Sequence, residues 1–166
     1  MKTDTRVLII GGGIAGVSTL YHLAKRGWSD VMLTEKLELT AGSTWHAAGN
    51  LPHFSGSYNI LKLQQYSLEL YSRLEELTGT PVGKHRTGAV RLAHSQERMD
   101  EFKRICGYSA LAGLEFRMLN NAELRDLYPY LNTDGLLGGL WDPGDGHIDP
   151  TQLTNALAKG ARDAGA

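Results

Sequence analysis

Apolar and polar positions alternate along this chain in blocks whose period changes. Val7-Leu8-Ile9-Ile10 is a continuous, β-branched apolar run, the pattern of a buried strand. Val17, Leu20, Leu23 and Ala24 then recur at helical spacing until Gly27, the expected end of a first helix. Val31-Met32-Leu33 reads as a second short strand that leads to Glu35. Leu63, Tyr66, Leu70, Leu74 and Leu77 form a stripe that predicts a helix over 58–77 with this face in the core, Lys62, Glu69, Arg73 and Glu76 lying off it. Gly79-Thr80-Pro81 closes that element. Residues 85–93 read as a strand interrupted by a glycine, and Ser95 as the cap of a helix reaching about Ala112. Phe116–Leu119 is a short strand, and Asn120 and Glu123 stand at capping-box spacing before a brief helix stopped by Pro129. Leu136–Trp141 is a further strand. Asp149-Pro150 starts a last helix carrying Leu153, Ala156, Leu157 and Ala161.

The segment joining the first two strands carries the chemistry. Gly11-Gly12-Gly13-Ile14-Ala15-Gly16 sits between strand and helix, and an acid follows the second strand, which is the dinucleotide fingerprint in its full context. Gly11 permits the tight turn, Gly13 lets backbone approach a pyrophosphate, and Gly16 lets the helix pack closely on the sheet. The helix start at Ile14 and Ala15 presents unpaired N–H groups to phosphate. Glu35, nineteen residues beyond Gly16, is placed to accept hydrogen bonds from an adenosine ribose. An acid there argues against a 2′-phosphate, so FAD or NAD is favoured over NADP.

Residues 36–58 lack periodicity, and loops of this length inside compact domains are usually functional. Ala41, Gly42, Ser43, Ala47, Ala48 and Gly49 surround Trp45 and His46, a composition that lets backbone lie against a ligand. From the bare residues, His46 is more often a packed or exposed histidine than a chemical one.

Composition changes this picture little. The 166 residues suffice for one core, and 17 basic against 18 acidic residues give no sign of a polyanion partner, so no nucleic acid is expected. The single cysteine, Cys106, excludes an internal disulfide and a cysteine-based zinc site, and its apolar helical neighbours Met99, Phe102 and Ile105 read as the setting of an inert thiol. No metal site is expected. No run is long enough to span a membrane, and no signal-peptide pattern precedes the first strand, so the expected location is cytoplasmic. After Ala164-Gly165-Ala166 a doubly wound fold would return to its sheet, so the chain is expected to be the front part of a larger protein, truncated and inactive by itself.

Three stretches together resemble the dimethylglycine/sarcosine dehydrogenase family: the fingerprint with Glu35-Lys36, the run Leu39-Thr40-Ala41-Gly42-Ser43-Thr44-Trp45-His46-Ala47-Ala48-Gly49, and Asp142-Pro143-Gly144-Asp145-Gly146-His147-Ile148-Asp149-Pro150. The resemblance implies an α/β fold, with a Rossmann-like FAD-binding domain of the D-amino-acid-oxidase/glutathione-reductase type and the start of an inserted substrate-domain sheet. It implies that 1–80 are the first part of the FAD-binding domain, 81–148 part of a substrate-binding domain, and 149–166 a helix returning to the first. It reverses the reading of His46, because the matching histidine of that family is joined covalently to the flavin 8α carbon. Gly11, Gly13, Ile14, Ala15, Gly16, Glu35, Lys36, Gly42, Ser43, Thr44, Trp45, His46, Ala47, Ala48 and Gly49 are the implied cofactor residues, and the catalytic residues are expected beyond Ala166. The implied reaction is FAD-dependent oxidation of the N-methyl C–N bond of a methylated amino acid, with demethylation. Electrons would pass to an electron-transfer flavoprotein or oxygen, and the one-carbon unit is released as formaldehyde or passed to tetrahydrofolate in an appended region. His147 is as consistent with a turn-stabilising role as with a chemical one. Two other readings share the fingerprint: a NAD-dependent Rossmann dehydrogenase, which leaves Trp45-His46 unexplained, and a non-catalytic nucleotide-binding fragment.

Overall fold

The computed structural model describes residues 4–166. The chain forms two units, one made of Met1–Gly49, Leu68–Lys84 and His147–Ala166, the other of Asn50–Ser67 and His85–Gly146. The stretch 50–67, expected with the first domain, thus belongs to the second unit.

In the first unit, β1 (Val7–Ile10) and β2 (Val31–Thr34) pair in parallel, Val7 opposite Val31 and Ile10 opposite Thr34. Parallel neighbours need a crossover, and α1 (Ile14–Lys25) makes it, burying Val17, Leu20, Tyr21 and Ala24. Gly27, at φ 83°, ends it: the Gly27 N–H donates to Ala24 O and the Trp28 N–H to Leu23 O, tying off the last carbonyls. The helix α5 (Pro150–Asp163) packs along α1 and buries Leu153, Ala156, Leu157 and Ala161. Each buried leucine there contributes about 1.5–3 kcal/mol. Gly160 permits the close approach, since a Cβ there would stand 2.7 Å from the Tyr21 ring.

The second unit is built on an antiparallel sheet of order β3–β5–β4, formed by Ala89–Ala93, Gly138–Asp142 and Arg117–Leu119. Leu140 on the central strand is fully buried with Ala93 and with Phe102 of α3 (Gln96–Leu111). Leu119 and Leu136 form a second cluster with Leu124 of α4 (Asn121–Leu127). Both expected caps are present: Ser95 Oγ accepts from the Arg98 N–H, and Asn120 and Glu123 form a reciprocal capping box.

Three expectations need correction. The strand expected over 85–93 begins only at Ala89. Gly88 takes a left-handed φ of 69°, its N–H goes to Asp145 O, and the Trp141 ring fills the space a Cβ would need. The strand expected over 136–141 lies at Gly138–Asp142, because Leu136 closes a turn onto Thr133 O and packs into a core cluster. The predicted helix exists as α2 (Tyr58–Thr78), but Leu63, Tyr66 and Leu77 of its stripe are exposed. The buried leucines are Leu61, Leu68, Leu70 and Leu74. At about 3.6 residues per turn, the first two lie on one side and the last two on the opposite side. Burial therefore falls on two sides of the helix, and no single stripe describes it.

Candidate functional site

The glycine turn is a packing device before it is a ligand site. The Gly11 N–H donates to Thr34 O at 2.8 Å, carrying the strand pairing into the turn, and Gly11 bends away at φ 109°. A Cβ on Gly16 would collide with the Gly11 carbonyl, so only glycine lets the helix start this close to the turn. A Cβ on Gly13 would stand 2.9 Å from Thr44 Oγ1. The absence of a side chain at Gly13 therefore admits a loop of the protein itself, in addition to the ligand approach expected from the sequence. Gly12, at a variable position of the fingerprint, is equally constrained: a Cβ would meet Leu39 Cδ2 at 2.6 Å and Glu35 at 3.1 Å.

Glu35 is half-buried under the turn. Its Oε2 accepts from the Gly12 N–H at 2.7 Å and its Oε1 from the Leu37 N–H at 3.0 Å. The Gly12 N–H first and the Leu37 N–H second hold its carboxyl below the usual glutamate value. Each carboxylate oxygen has a second lone pair, so capacity for hydroxyl donors remains. Lys36 is exposed beside it.

The loop after β2 is fastened to the turn at two points. The Thr40 N–H donates to Gly12 O at 3.0 Å, and Thr40, buried and β-branched, takes a left-handed φ of 72° to do so. Such conformations cost of order 1–3 kcal/mol and gather at functional sites. Thr44 Oγ1 accepts from the Ile14 N–H at 3.0 Å. Thr44 is the buried member of a 3₁₀ turn, Ser43–His46, whose other three residues are exposed. The turn is closed by the Ala47 N–H donating to Thr44 O.

His46 stands on that turn with its ring 3.9 Å from the Trp45 ring, centroid to centroid, and tilted by 36°. Its Nδ1 lies 3.2 Å from Gly42 O. A carbonyl oxygen can only accept, so Nδ1 carries the hydrogen in this contact, and in the neutral ring the lone pair is then the one on Nε2.

The start of α1 is open. Gly13 provides no side-chain cap and the first turn holds no acid. Ile14 is satisfied by Thr44, whereas the Ala15 and Gly16 amides have no intrahelical acceptor. Aligned amides and the positive end of the helix dipole make this the place for an anionic group. A phosphate-bearing cofactor therefore fits the residues present: Ala15 and Gly16 amides without an intrahelical acceptor, no acid in the first turn of α1, and a glycine turn before it.

Of the remaining expected site residues, Ser43, Ala47 and Ala48 are exposed on the same loop, and a Cβ on Gly42 would meet open space. Gly49 plays a different part: its carbonyl accepts from the Ile148 N–H at 2.9 Å, and a Cβ would strike the Ile148 carbonyl. Sequence reasoning missed Gly12, Leu39 and Thr40. The unbroken run of three glycines is the one signal that could have marked Gly12.

In the second unit, the Asp142–Gly146 turn is self-stapled. Asp142, almost fully buried, accepts through Oδ1 from the Gly144 and Asp145 N–H groups, and His53 Nδ1 lies 3.3 Å from the same oxygen. Asp145 pairs with Arg91 at 3.1 Å. His147 is exposed. Cys106 is half-buried on α3, where burial pushes its thiol pKa up. Among the described residues no cluster of three potential metal ligands occurs, and no helix is long and apolar enough to cross a membrane.

Comparison with known proteins gives the geometry its context. The family model described as DAO, FAD dependent oxidoreductase, matches residues 6–166. Dimethylglycine dehydrogenase of Rattus norvegicus is 51% identical over 164 residues, covering 99% of this chain and 19% of that protein. Sarcosine dehydrogenase of Homo sapiens is 40% identical over 167 residues, covering 100% of this chain and 18% of that protein. The chain thus spans about a fifth of the length of these curated relatives. Among solved structures, L-proline dehydrogenase from P. horikoshii superposes with a TM-score of 0.89 at 28% identity, covering 100% of this chain and 44% of that one. The fold is the α/β Rossmann-like, FAD-binding type expected, with a separate antiparallel sheet. The expected cytoplasmic location is overturned: both of these curated relatives are mitochondrial. The residues of a folded domain do not encode its compartment, so composition and a missing signal pattern were no basis for one.

Proposed function

Given that this chain belongs to the DAO family of FAD-dependent oxidoreductases, we propose that it is the FAD-binding N-terminal region of an enzyme oxidising the N-methyl C–N bond of a methylated amino acid of the dimethylglycine or sarcosine type. When bound, FAD supplies the two-electron acceptor for a hydride from the amine carbon. The chain's own residues bind and orient it. The Ala15 and Gly16 amides at the start of α1 hold the pyrophosphate. Glu35, already ordered by Gly12 and Leu37, offers its remaining lone pairs to the ribose hydroxyls. The second unit, Asn50–Ser67 with His85–Gly146, contributes to the substrate-binding domain. Electrons leave to an electron-transfer flavoprotein or oxygen, and a folate-binding region belongs to the rest of the enzyme.

The observation that carries the reading is the placement of His46. Its Nδ1 lies against Gly42 O on an exposed turn anchored to the start of α1, so in the neutral ring Nε2 is the nitrogen left with the lone pair. A neutral imidazole presented this way is the nucleophile that a covalent bond to the flavin 8α carbon requires. A nicotinamide dehydrogenase would leave this turn without a role.

The test is acid precipitation of the full-length protein matured with FAD, followed by fragment-ion mass spectrometry of the tryptic peptide that begins after Lys36 and ends at Lys62. That peptide holds both His46 and His53, so fragmentation must separate them. Flavin should stay in the pellet and its mass should sit on His46. The variant His46→Ala should still bind FAD through the pyrophosphate and ribose contacts but release it on denaturation. Flavin in the supernatant of the wild-type protein would refute the attachment.

A further inference from the structure

Thr44 performs two tasks with one residue. Its side-chain oxygen takes the Ile14 N–H, the first amide of α1, at 3.0 Å. Its backbone carbonyl accepts from Ala47 and closes the turn on which His46 stands. It is buried while Ser43, Trp45 and His46 around it are exposed. The lock is tight on the other side too, because Gly13 has no Cβ and one placed there would press on Thr44 Oγ1. His46 lies two positions after Thr44, and Gly42, whose carbonyl orients the His46 ring, lies two positions before Thr44.

We propose that Thr44 is the positioning residue for cofactor attachment: its hydroxyl registers the His46 turn against the start of α1, so that the imidazole nitrogen and a phosphate-anchored flavin are held at one fixed separation. This rests on the reading of His46 given above. Attachment exchanges a C8α–H bond for a C8α–Nε2 bond. C8α and the imidazole each give up one proton, the electron pair goes to the isoalloxazine ring, and dioxygen then takes two electrons and two protons to leave as hydrogen peroxide. Thr44 touches none of these atoms. Its effect is on how often the nitrogen is in reach, a matter of proximity.

The experiment compares Thr44→Val, which keeps shape and loses the hydroxyl, with Thr44→Ser, which keeps the hydroxyl, both in the full-length protein. Apoprotein is mixed with saturating FAD and the growth of acid-stable flavin is followed in time. Loss of one buried hydrogen bond predicts that Thr44→Val attaches flavin about tenfold more slowly, with Thr44→Ser close to wild type. In a His46→Ala background, the affinity of Thr44→Val for FAD should change much less than that rate does. A flavin-free readout accompanies this: in the wild-type apoprotein, the Ile14 amide should exchange with deuterium more slowly than those of Ala15 and Gly16. Equal exchange at the three amides, a Thr44→Val rate matching wild type, or Thr44→Ser as slow as Thr44→Val would each overturn the proposal. If the wild-type protein holds only acid-labile flavin, the His46 reading falls and this one with it. Acid-stable flavin on His46 with an unaffected Thr44→Val removes Thr44 alone.

Discussion

Two helices lie side by side in the first unit and begin in opposite ways. The start of α5 is closed: Asp149 accepts from the Thr151 and Gln152 N–H groups, and Pro150 removes an amide that would otherwise need a partner. The start of α1 has no cap of its own, no acid in the first turn, and borrows its one side-chain acceptor from a loop thirty residues away. Asn120 and Ser95 close α4 and α3 in the manner of Asp149. Capping costs a sequence nothing and contributes about 1 kcal/mol. A helix that forgoes it, beside three that do not, leaves its positive end open, which is the feature the proposed phosphate site relies on.

The largest test of that contrast is to make α1 begin as α5 does. Gly13→Asp would put a carboxylate where the pyrophosphate is expected and a Cβ against Thr44. Like-charge juxtaposition costs several kcal/mol, so FAD affinity should fall about a hundredfold or more by fluorescence titration. Retained affinity in a folded variant would show that the open helix start is not the phosphate site.

Glu35 comes next, since it braces the turn from below. Glu35→Gln keeps shape but loses the charge that the Gly12 and Leu37 amides stabilise, and FAD binding should weaken about tenfold. The same carboxylate gives a pH test. Its pKa is lowered in the folded state, so its contribution is complete above the unfolded glutamate value and is lost as pH falls through the lower folded value. A carbon-13 titration of the Glu35 carboxyl should therefore show a midpoint below that of an unstructured glutamate. A midpoint at or above it would mean that the turn and the acid are not joined.

The smallest effect belongs to the closed helix. Asp149→Ala should cost about 1 kcal/mol of stability in urea unfolding and leave FAD affinity unchanged. A loss of affinity comparable to that of Glu35→Gln would erase the distinction between the two helix starts.

The same contrast explains what could be read before the fold was seen. Caps announce themselves, because Ser95, Asn120 with Glu123, and Asp149 with Pro150 act within three residues of their own position. The glycine fingerprint is equally local. Thr44 to Ile14 and Thr40 to Gly12 are bonds across about thirty residues, and nothing in the spacing of the loop marks its threonines as buried. The α2 stripe misled for a related reason. Period identifies a helix, but Leu61 and Leu68 against Leu70 and Leu74 shows that one helix can bury two sides, a property of what surrounds it. Gly88 shortened β3 through a ring fifty-three residues later in the chain, again beyond local pattern.

The pairing of α1 with α5 also has a consequence in time. The ribosome makes α1 early and α5 late, and synthesis at about 5–20 residues per second leaves on the order of ten seconds between Lys25 and Pro150. Through that interval α1, with Tyr21 on the side that later meets Gly160, has no α5 beside it, although β1 and β2 can already pair. A nascent chain with an apolar helix face waiting for its partner is a client for a holding chaperone, and the binding of such a factor should end when α5 leaves the exit tunnel.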